Sequence, residues 1–235
     1  MNVDTSNTDK VRLISRLKSQ PISVGILASD WLKLSETLSI LSRRQLQLLH
    51  FDIADGQFSP LFTVGSIAVK QFAHPFIKDV HLMVKDPFSV AQSCFHAGAD
   101  IITLQIETDE ELSTIYTWLN AQVHPPLCGI SICPETDLSL LQDYLPQVDL
   151  IQLLTLDPRT GKKADERTVL ERIKQTLEML GTERPHKLIA VDGSMNLELA
   201  KKVNQLDIDW VVSGSALFAS PETEQTLIKW QTELG

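Results

Sequence analysis

No stretch of this sequence approaches the ~20 consecutive apolar residues that a membrane-spanning helix needs, so a membrane is not an expected partner. From Asn2 to Lys10 the start is polar and lacks the apolar core of a secretory signal, which points to a cytoplasmic protein. Cysteine is scarce: Cys94, Cys128 and Cys133 are an odd number in no metal-binding spacing, each in or beside an apolar segment. They read as buried free thiols in a reducing compartment. Positive charge is in deficit, 21 Lys and Arg against 30 Asp and Glu, a formal net charge of -9 with no basic patch. That argues against nucleic acid as a partner. Glycine is missing where a dinucleotide loop would need it: Gly25-Ile26-Leu27-Ala28-Ser29 lacks the second and third glycines of that turn.

What is present is an ordinary globular composition, 43% hydrophobic and 22% charged over 235 residues, ample for a core. Residues 1–20 form an N-terminal extension, a polar flexible tip followed by a short amphipathic helix carrying Val11, Leu13, Ile14 and Leu17. From residue 21 to 235 one pattern repeats. Apolar, β-rich runs predict strands over 22–28, 46–53, 77–84, 100–106, 127–133, 150–154, 187–191 and 210–213. Segments of helical period predict helices over 31–44, 64–72, 87–97, 110–121, 138–144, 166–180, 197–205 and 222–233. Asp86-Pro87 and Ser220-Pro221 are helix starts, and Gly98 and Gly181 stand where a helix would end in a left-handed residue. Alternating strands and helices imply βαβ units and parallel pairing. Eight units without a composition break predict a single (β/α)8 TIM barrel, with a doubly wound sheet as the alternative. A barrel directs attention to the C-terminal ends of its strands.

Those ends carry metal-competent groups. His50 and Asp52, at i and i+2, point to one side of a strand. His81 lies on the next strand, and Asp192 ends the seventh. Two imidazoles and two carboxylates converging on one mouth suit Zn, Fe, Mn or Co, one divalent ion per subunit. The alternative is that each His is a satisfied core residue and each Asp a helix cap. His74, His96, His124 and His186 sit beside polar residues in helices or loops and read as surface. The turns Val191-Asp192-Gly193-Ser194 and Val212-Ser213-Gly214-Ser215 follow strands seven and eight, each ahead of a helix. There barrels commonly hold phosphate on backbone N–H groups and a helix N-terminus.

Together the run His50-Phe51-Asp52-Ile53-Ala54-Asp55-Gly56, the run Asp79-Val80-His81-Leu82-Met83-Val84, Ala97-Gly98-Ala99-Asp100-Ile101-Ile102, Val191-Asp192-Gly193 and Ser213-Gly214-Ser215-Ala216-Leu217-Phe218 resemble the ribulose-phosphate 3-epimerase family. The match runs from about Ile22 to the last helix. The resemblance implies a TIM barrel that inverts C3 of a ketose phosphate such as ribulose 5-phosphate or xylulose 5-phosphate. It implies His50, Asp52, His81 and Asp192 as metal ligands, and Asp52 and Asp192 as the two acid/base carboxylates. Met83 would cap the enediolate, and Gly193, Ser194, Gly214 and Ser215 would bind the phosphate. The divalent cation would neutralise charge developing on O2 and O3. The family is commonly oligomeric, so a homo-oligomer is expected. Asp55 is expected to fix the loop into Gly56.

The sequence also departs from the family. Its strand-one serines are replaced by Gly25 and Ala28, two pocket methionines by Ala54 and Leu154, a strand-four histidine by Gln105 and a strand-five asparagine by Cys133. Ser194 replaces a glycine. The glycine-rich lid after strand six becomes Asp157-Pro158-Arg159-Thr160-Gly161-Lys162-Lys163, whose Arg159 and Lys162 are candidate clamps for the anionic end of a substrate. The changed walls leave the sugar phosphate open, a pentulose phosphate or a hexulose 6-phosphate. They also leave room for a non-catalytic barrel that binds metal or sugar phosphate. A lyase of the related Asp-x-Lys-x-x-Asp type conflicts with Ala54 at the lysine position.

Overall fold

The computed structural model describes residues 5–73 and 75–235. Residues 1–4 of the expected flexible tip, and His74, lie outside them. Eight strands, β1 (Ile22–Gly25), β2 (Leu48–Ala54), β3 (Ile77–Met83), β4 (Ile101–Gln105), β5 (Leu127–Ile132), β6 (Leu150–Leu154), β7 (Leu188–Asp192) and β8 (Trp210–Ser213), close into a barrel in sequence order. Every neighbouring pair is parallel, and β8 returns to β1. Helix α1 (Thr5–Leu17) precedes the barrel, and α2 (Leu34–Arg43), α3 (Ser66–Gln71), α4 (Pro87–His96), α5 (Leu112–Asn120), α6 (Glu166–Leu180), α7 (Leu197–Asn204) and α8 (Thr223–Leu234) follow strands. This is the expected TIM barrel. No helix among the described residues is long and apolar enough to cross a membrane.

The two-residue period of the strands sorts their side chains. Leu49, Phe51, Val80, Leu104, Ile130, Ile151 and Val211 belong to the core shared with the surrounding helices. There Phe51 meets Phe72 edge to face, with ring centroids 4.9 Å apart. The first inward residues, Leu48, Ile77, Ile101, Leu127, Leu150, Leu188 and Trp210, form a separate apolar layer at the strand starts, and Leu17 of α1 is buried in it with Leu13 and Ile14 alongside. The N-terminal helix thus closes the barrel floor. Lys10 Nζ ties it to Asp149 at 2.8 Å. Leu17→Ala is expected to cost about 2–5 kcal/mol, because the rigid strand floor cannot collapse into the space. Denaturant unfolding checks this, and metal affinity should be unaffected.

Most helix signals behave as read, but Ser220-Pro221 does not open the last helix: Ser220 Oγ accepts from Glu222 N in a turn, and α8 starts at Thr223 behind Glu222. The Asp86 carboxylate caps α4 by accepting from Ser89 N at 3.0 Å, with Pro87 next to it. Gly98 and Gly181 follow α4 and α6 with positive φ. Three elements differ from expectation. The apolar run 22–28 is strand only to Gly25; Ile26–Ala28 is a 3-10 turn closed by Ser29 N and Oγ on Ile26 O. The expected helix at 31–44 opens with another 3-10 turn, Trp31–Lys33, before α2. The segment after β5, Leu138–Asp143, is 3-10 throughout. Cys94, Cys128 and Cys133 are free and buried, and burial pushes the Cys94 and Cys128 thiols up to about 12.

Candidate metal centre

Register and parity assemble the site. On β2, His50, Asp52 and Ala54 alternate with Phe51 and Ile53, which pack outward. In the parallel pairing of β2 with β3, His50 lies opposite Asp79 and Asp52 opposite His81. Asp192, the last residue of β7, reaches the same centre from across the barrel. One ligand atom from each of His50, Asp52, His81 and Asp192 lies within 4.8 Å of all the others. His50 Nε2 is 3.3 Å from Asp52 Oδ1 and 3.6 Å from Asp192 Oδ2; His81 Nδ1 is 3.3 and 3.8 Å from the same two oxygens. Donors ~2.1 Å from a shared tetrahedral ion stand ~3.4 Å apart, so the spacing suits a divalent cation.

The outer partners aim the donors inward. His50 Nδ1 donates to Asp79 Oδ2 at 2.8 Å, and Ser23 Oγ holds that oxygen at 2.9 Å. This leaves the Nε2 lone pair facing the centre. His81 Nε2 lies 2.8 Å from Gln105 Oε1 and 2.9 Å from Ser131 Oγ. Its Nδ1 is buried and makes no hydrogen bond. A buried imidazole nitrogen without a hydrogen bond, between two carboxylates, fits a metal ligand. Gln152 Nε2 donates to Asp192 Oδ2 at 2.9 Å, and Gln105 Nε2 is tied to Glu107. Sequence reasoning missed Ser23, Asp79, Ser131 and Gln152. Their signal was parity alone, since each shares the inward face of its strand.

Charge is balanced tightly here. Burial would lower the His50 imidazole, but Asp79, Asp52 and Asp192 outweigh it and raise it well above the ordinary histidine range. His81 is likewise raised, by Asp52 and Asp192 against burial. Burial opposes ionisation of Asp52, yet the two imidazoles hold it far below the usual carboxylate range. Burial pushes Asp192 up to about 6. A cation needs both carboxylates ionised and both imidazoles neutral. Asp192, His50 and His81 are all raised, so each must release a proton that it keeps at lower pH. Metal affinity is therefore expected to rise with pH from below about 6 upward, approaching tenfold per unit for each proton released. Competition with a chromophoric chelator checks this, and a flat profile between about pH 5.5 and 8 contradicts it.

Beside the cluster opens a cavity of about 400 Å³. Gly193, Ser194, Gly214, Ser215 and Met83 line it together with the four candidate ligands. Gly193 has φ +102° and Ser194 +44°, a left-handed turn. A Cβ on Gly193 would also lie 3.0 Å from Thr155 Oγ1. Gly25 and Gly214 let β1 and β8 approach so closely that a Cβ on Gly25 would fall 2.9 Å from Gly214 Cα. The helix termini expected behind these turns are not both free. Asn196 already caps α7 by accepting from Leu199 N, and after β8 comes a turn closed by Leu217 N on Gly214 O, with α8 starting only at Thr223. Any anion there would meet turn backbone and serine groups.

The cationic clamp is not brought to the cavity. Arg159 forks onto Asp157, Nε to Oδ1 at 3.0 Å and Nη2 to Oδ2 at 2.8 Å, and Lys162 pairs with Glu135. The loop is a hairpin, with Leu156 bridged to Lys163 and Asp157 N bonded to Lys162 O. Its cavity-lining residues are Leu156 and Pro158. The nearby acids took the cations that the sequence offered to a substrate. Asp55 fixes its loop by accepting from Gln57 N and Lys85 N, both at 2.9 Å.

Comparison with known proteins agrees with this geometry. LsrE of Salmonella typhimurium, a protein named as a candidate epimerase, is 41% identical over 98% of this chain and 94% of its own. The ribulose-phosphate 3-epimerase of Synechocystis is 27% identical, over 89% and 92% of the two chains. Among solved structures, KGPDC from Streptococcus mutans superposes with TM-score 0.65 at 15% identity, covering 92% of this chain and 97% of that one. At that identity the likeness shows the fold alone. The model of the Ribulose-phosphate 3 epimerase family matches residues 21–218, and the chain belongs to that family.

Proposed function

We propose that the protein is a metal-dependent epimerase that inverts C3 of a ketose phosphate, with Asp52 and Asp192 as its two acid/base groups. The observation that carries this reading is the placement of two carboxylates, from β2 and β7, in one cluster with two imidazoles beside the cavity. His50, Asp52, His81 and Asp192 would hold one divalent ion, of Zn, Fe, Mn or Co type. When bound, it supplies positive charge beside the substrate oxygens on which negative charge develops. Asp52, whose side chain is 43% exposed, has access to the cavity; Asp192, at 12%, is held by Gln152.

In this mechanism one carboxylate takes the C3 proton from one face of the substrate, leaving a planar enediolate. The other carboxylate returns a proton to the opposite face. Inversion needs a base on each side, and strands on different sides of the barrel provide them. The turns at Gly193-Ser194 and Gly214-Ser215 would hold the phosphate, and Met83 would shield the enediolate from water. The reading extends to a cytoplasmic homo-oligomer, for which the exposed Leu32, Phe62 and Ile67 supply apolar surface.

Incubating the metal-loaded protein with ketose phosphates in D₂O tests this, with deuterium at C3 read by mass spectrometry. Incorporation with inversion is expected. Tight binding of the sugar phosphates without exchange would instead identify a non-catalytic barrel.

A further inference from the structure

Behind His81 a chain of hydrogen bonds leads away from the cavity. Gln105 ends β4 with its side chain buried, and both ends of its amide are engaged. Its Oε1 lies 2.8 Å from His81 Nε2 and accepts from Ser131 Oγ at 2.6 Å. Its Nε2 donates to Glu107 Oε2 and lies 3.3 Å from Cys133 Sγ. Glu107 stands just past the strand and meets donors on its other oxygen too. Oε1 accepts from Cys133 N at 2.8 Å and from Thr136 Oγ1 at 2.5 Å. All of these contacts use the carboxylate as an acceptor.

The two ends of an amide have nearly the same shape, so hydrogen-bond partners decide which way it faces. His81 and Ser131 would accept either orientation. With Oε1 toward them, the Ser131 hydroxyl donates to the amide and accepts from a His81 Nε2–H, 2.9 Å away. With the NH₂ toward them, amide and hydroxyl would both donate to a bare Nε2. Glu107 decides between the two, because a carboxylate cannot donate and the NH₂ has to face it. Oε1 then faces His81, the ring proton sits on Nε2, and the Nδ1 lone pair points at the centre. The reversed amide would put the proton on Nδ1, 3.3 Å from Asp52 Oδ1, where it excludes a metal ion. Resting on the metal centre proposed above, we propose that Glu107 is a positioning residue that acts through Gln105 to hold His81 in the tautomer able to bind a divalent cation.

Glu107→Gln tests this on the full chain, with zinc affinity read by competition with a chromophoric chelator. The Cys133 N–H is fixed by the backbone and keeps an oxygen opposite it. The new NH₂ therefore faces Gln105 and draws its Oε1 round, reversing the amide. Zinc affinity is expected to fall about 10–100-fold, as on losing a partner behind a metal ligand. Glu107 also ties the loops after β4 and β5 together, and loss of that tie alone would weaken the site whatever stands at position 105. Gln105→Met separates the two roles, because a thioether of similar length cannot pass the orientation on to His81. In the Gln105→Met background, Glu107→Gln should lower zinc affinity no further. Unchanged affinity in Glu107→Gln, or an equal loss in both backgrounds, would overturn the proposal. If Glu107→Gln does not fold, Glu107→Asp, one methylene short of Gln105, takes its place with the same two expectations. A wild-type chain that binds no zinc would overturn the metal centre and the proposal with it. Zinc binding that neither background shows to depend on Glu107 overturns the role of Glu107 alone.

Discussion

Asp192→Asn is expected to lower the rate of C3 inversion by about 10²–10⁴-fold, the usual contribution of a positioned acid or base. Asparagine matches the shape of aspartate and keeps an oxygen for Gln152 Nε2, which now donates to Asp192 Oδ2 at 2.9 Å. It cannot accept or return a proton at C3. Inversion uses one base on each face, so the loss should be of similar size from either epimer. Loss confined to one direction is inconsistent with a shared reversible path. Metal content of the variant must be measured alongside, because Asp192 is also one of the four clustered residues. Full inversion activity in a metal-loaded Asp192→Asn protein would remove Asp192 from the acid/base role.

The second large effect concerns His81. His81→Ala is expected to weaken divalent-metal affinity by more than about a hundredfold, beyond the 10–100-fold typical of losing an outer partner. Its Nδ1 is buried with no hydrogen bond, and it stands 3.3 Å from Asp52 Oδ1 and 3.8 Å from Asp192 Oδ2. Removing it leaves three donors and deprives Gln105 and Ser131 of their contact. A thermal readout separates this from simple damage. A ligand that binds only the folded state raises the melting temperature with its concentration. Wild-type protein should therefore gain stability on metal titration, and His81→Ala should not. A full metal-dependent shift in the variant would exclude His81 as a ligand.

Much of this architecture can be read from residues alone. Strand parity made His50 and Asp52 a same-side pair, and the eight-fold alternation placed them at a barrel mouth. The partners behind them were less accessible. Asp79 gains its meaning only when β2 and β3 pair in the register that sets it opposite His50. Ser23 and Ser131 are ordinary strand residues until closure brings them to Asp79 and His81. Gln105, a departure from the family's histidine, lies beside His81 and keeps a polar contact to its outer nitrogen. The lid cations are held elsewhere for a physical reason. Arg159 and Lys162 have nearer carboxylates, Asp157 and Glu135, and a preformed ion pair draws them away from a ligand. Boundaries failed where local hydrogen bonds beat propensity. Ser29 closes the turn after Gly25, so an apolar run that continues to Ala28 stops being strand three residues early.

Two imidazoles and two carboxylates from β2, β3 and β7 are proposed to hold one divalent cation. X-ray absorption on protein purified and then loaded with one equivalent of zinc reads that coordination. The prediction is one ion per chain with only nitrogen and oxygen neighbours at ~2.0–2.2 Å and scattering from two imidazole rings. His50→Ala and His81→Ala should each remove one ring from that signal or release the ion. A sulfur neighbour, an ion without imidazole scattering, or a spectrum unchanged in both variants would contradict it.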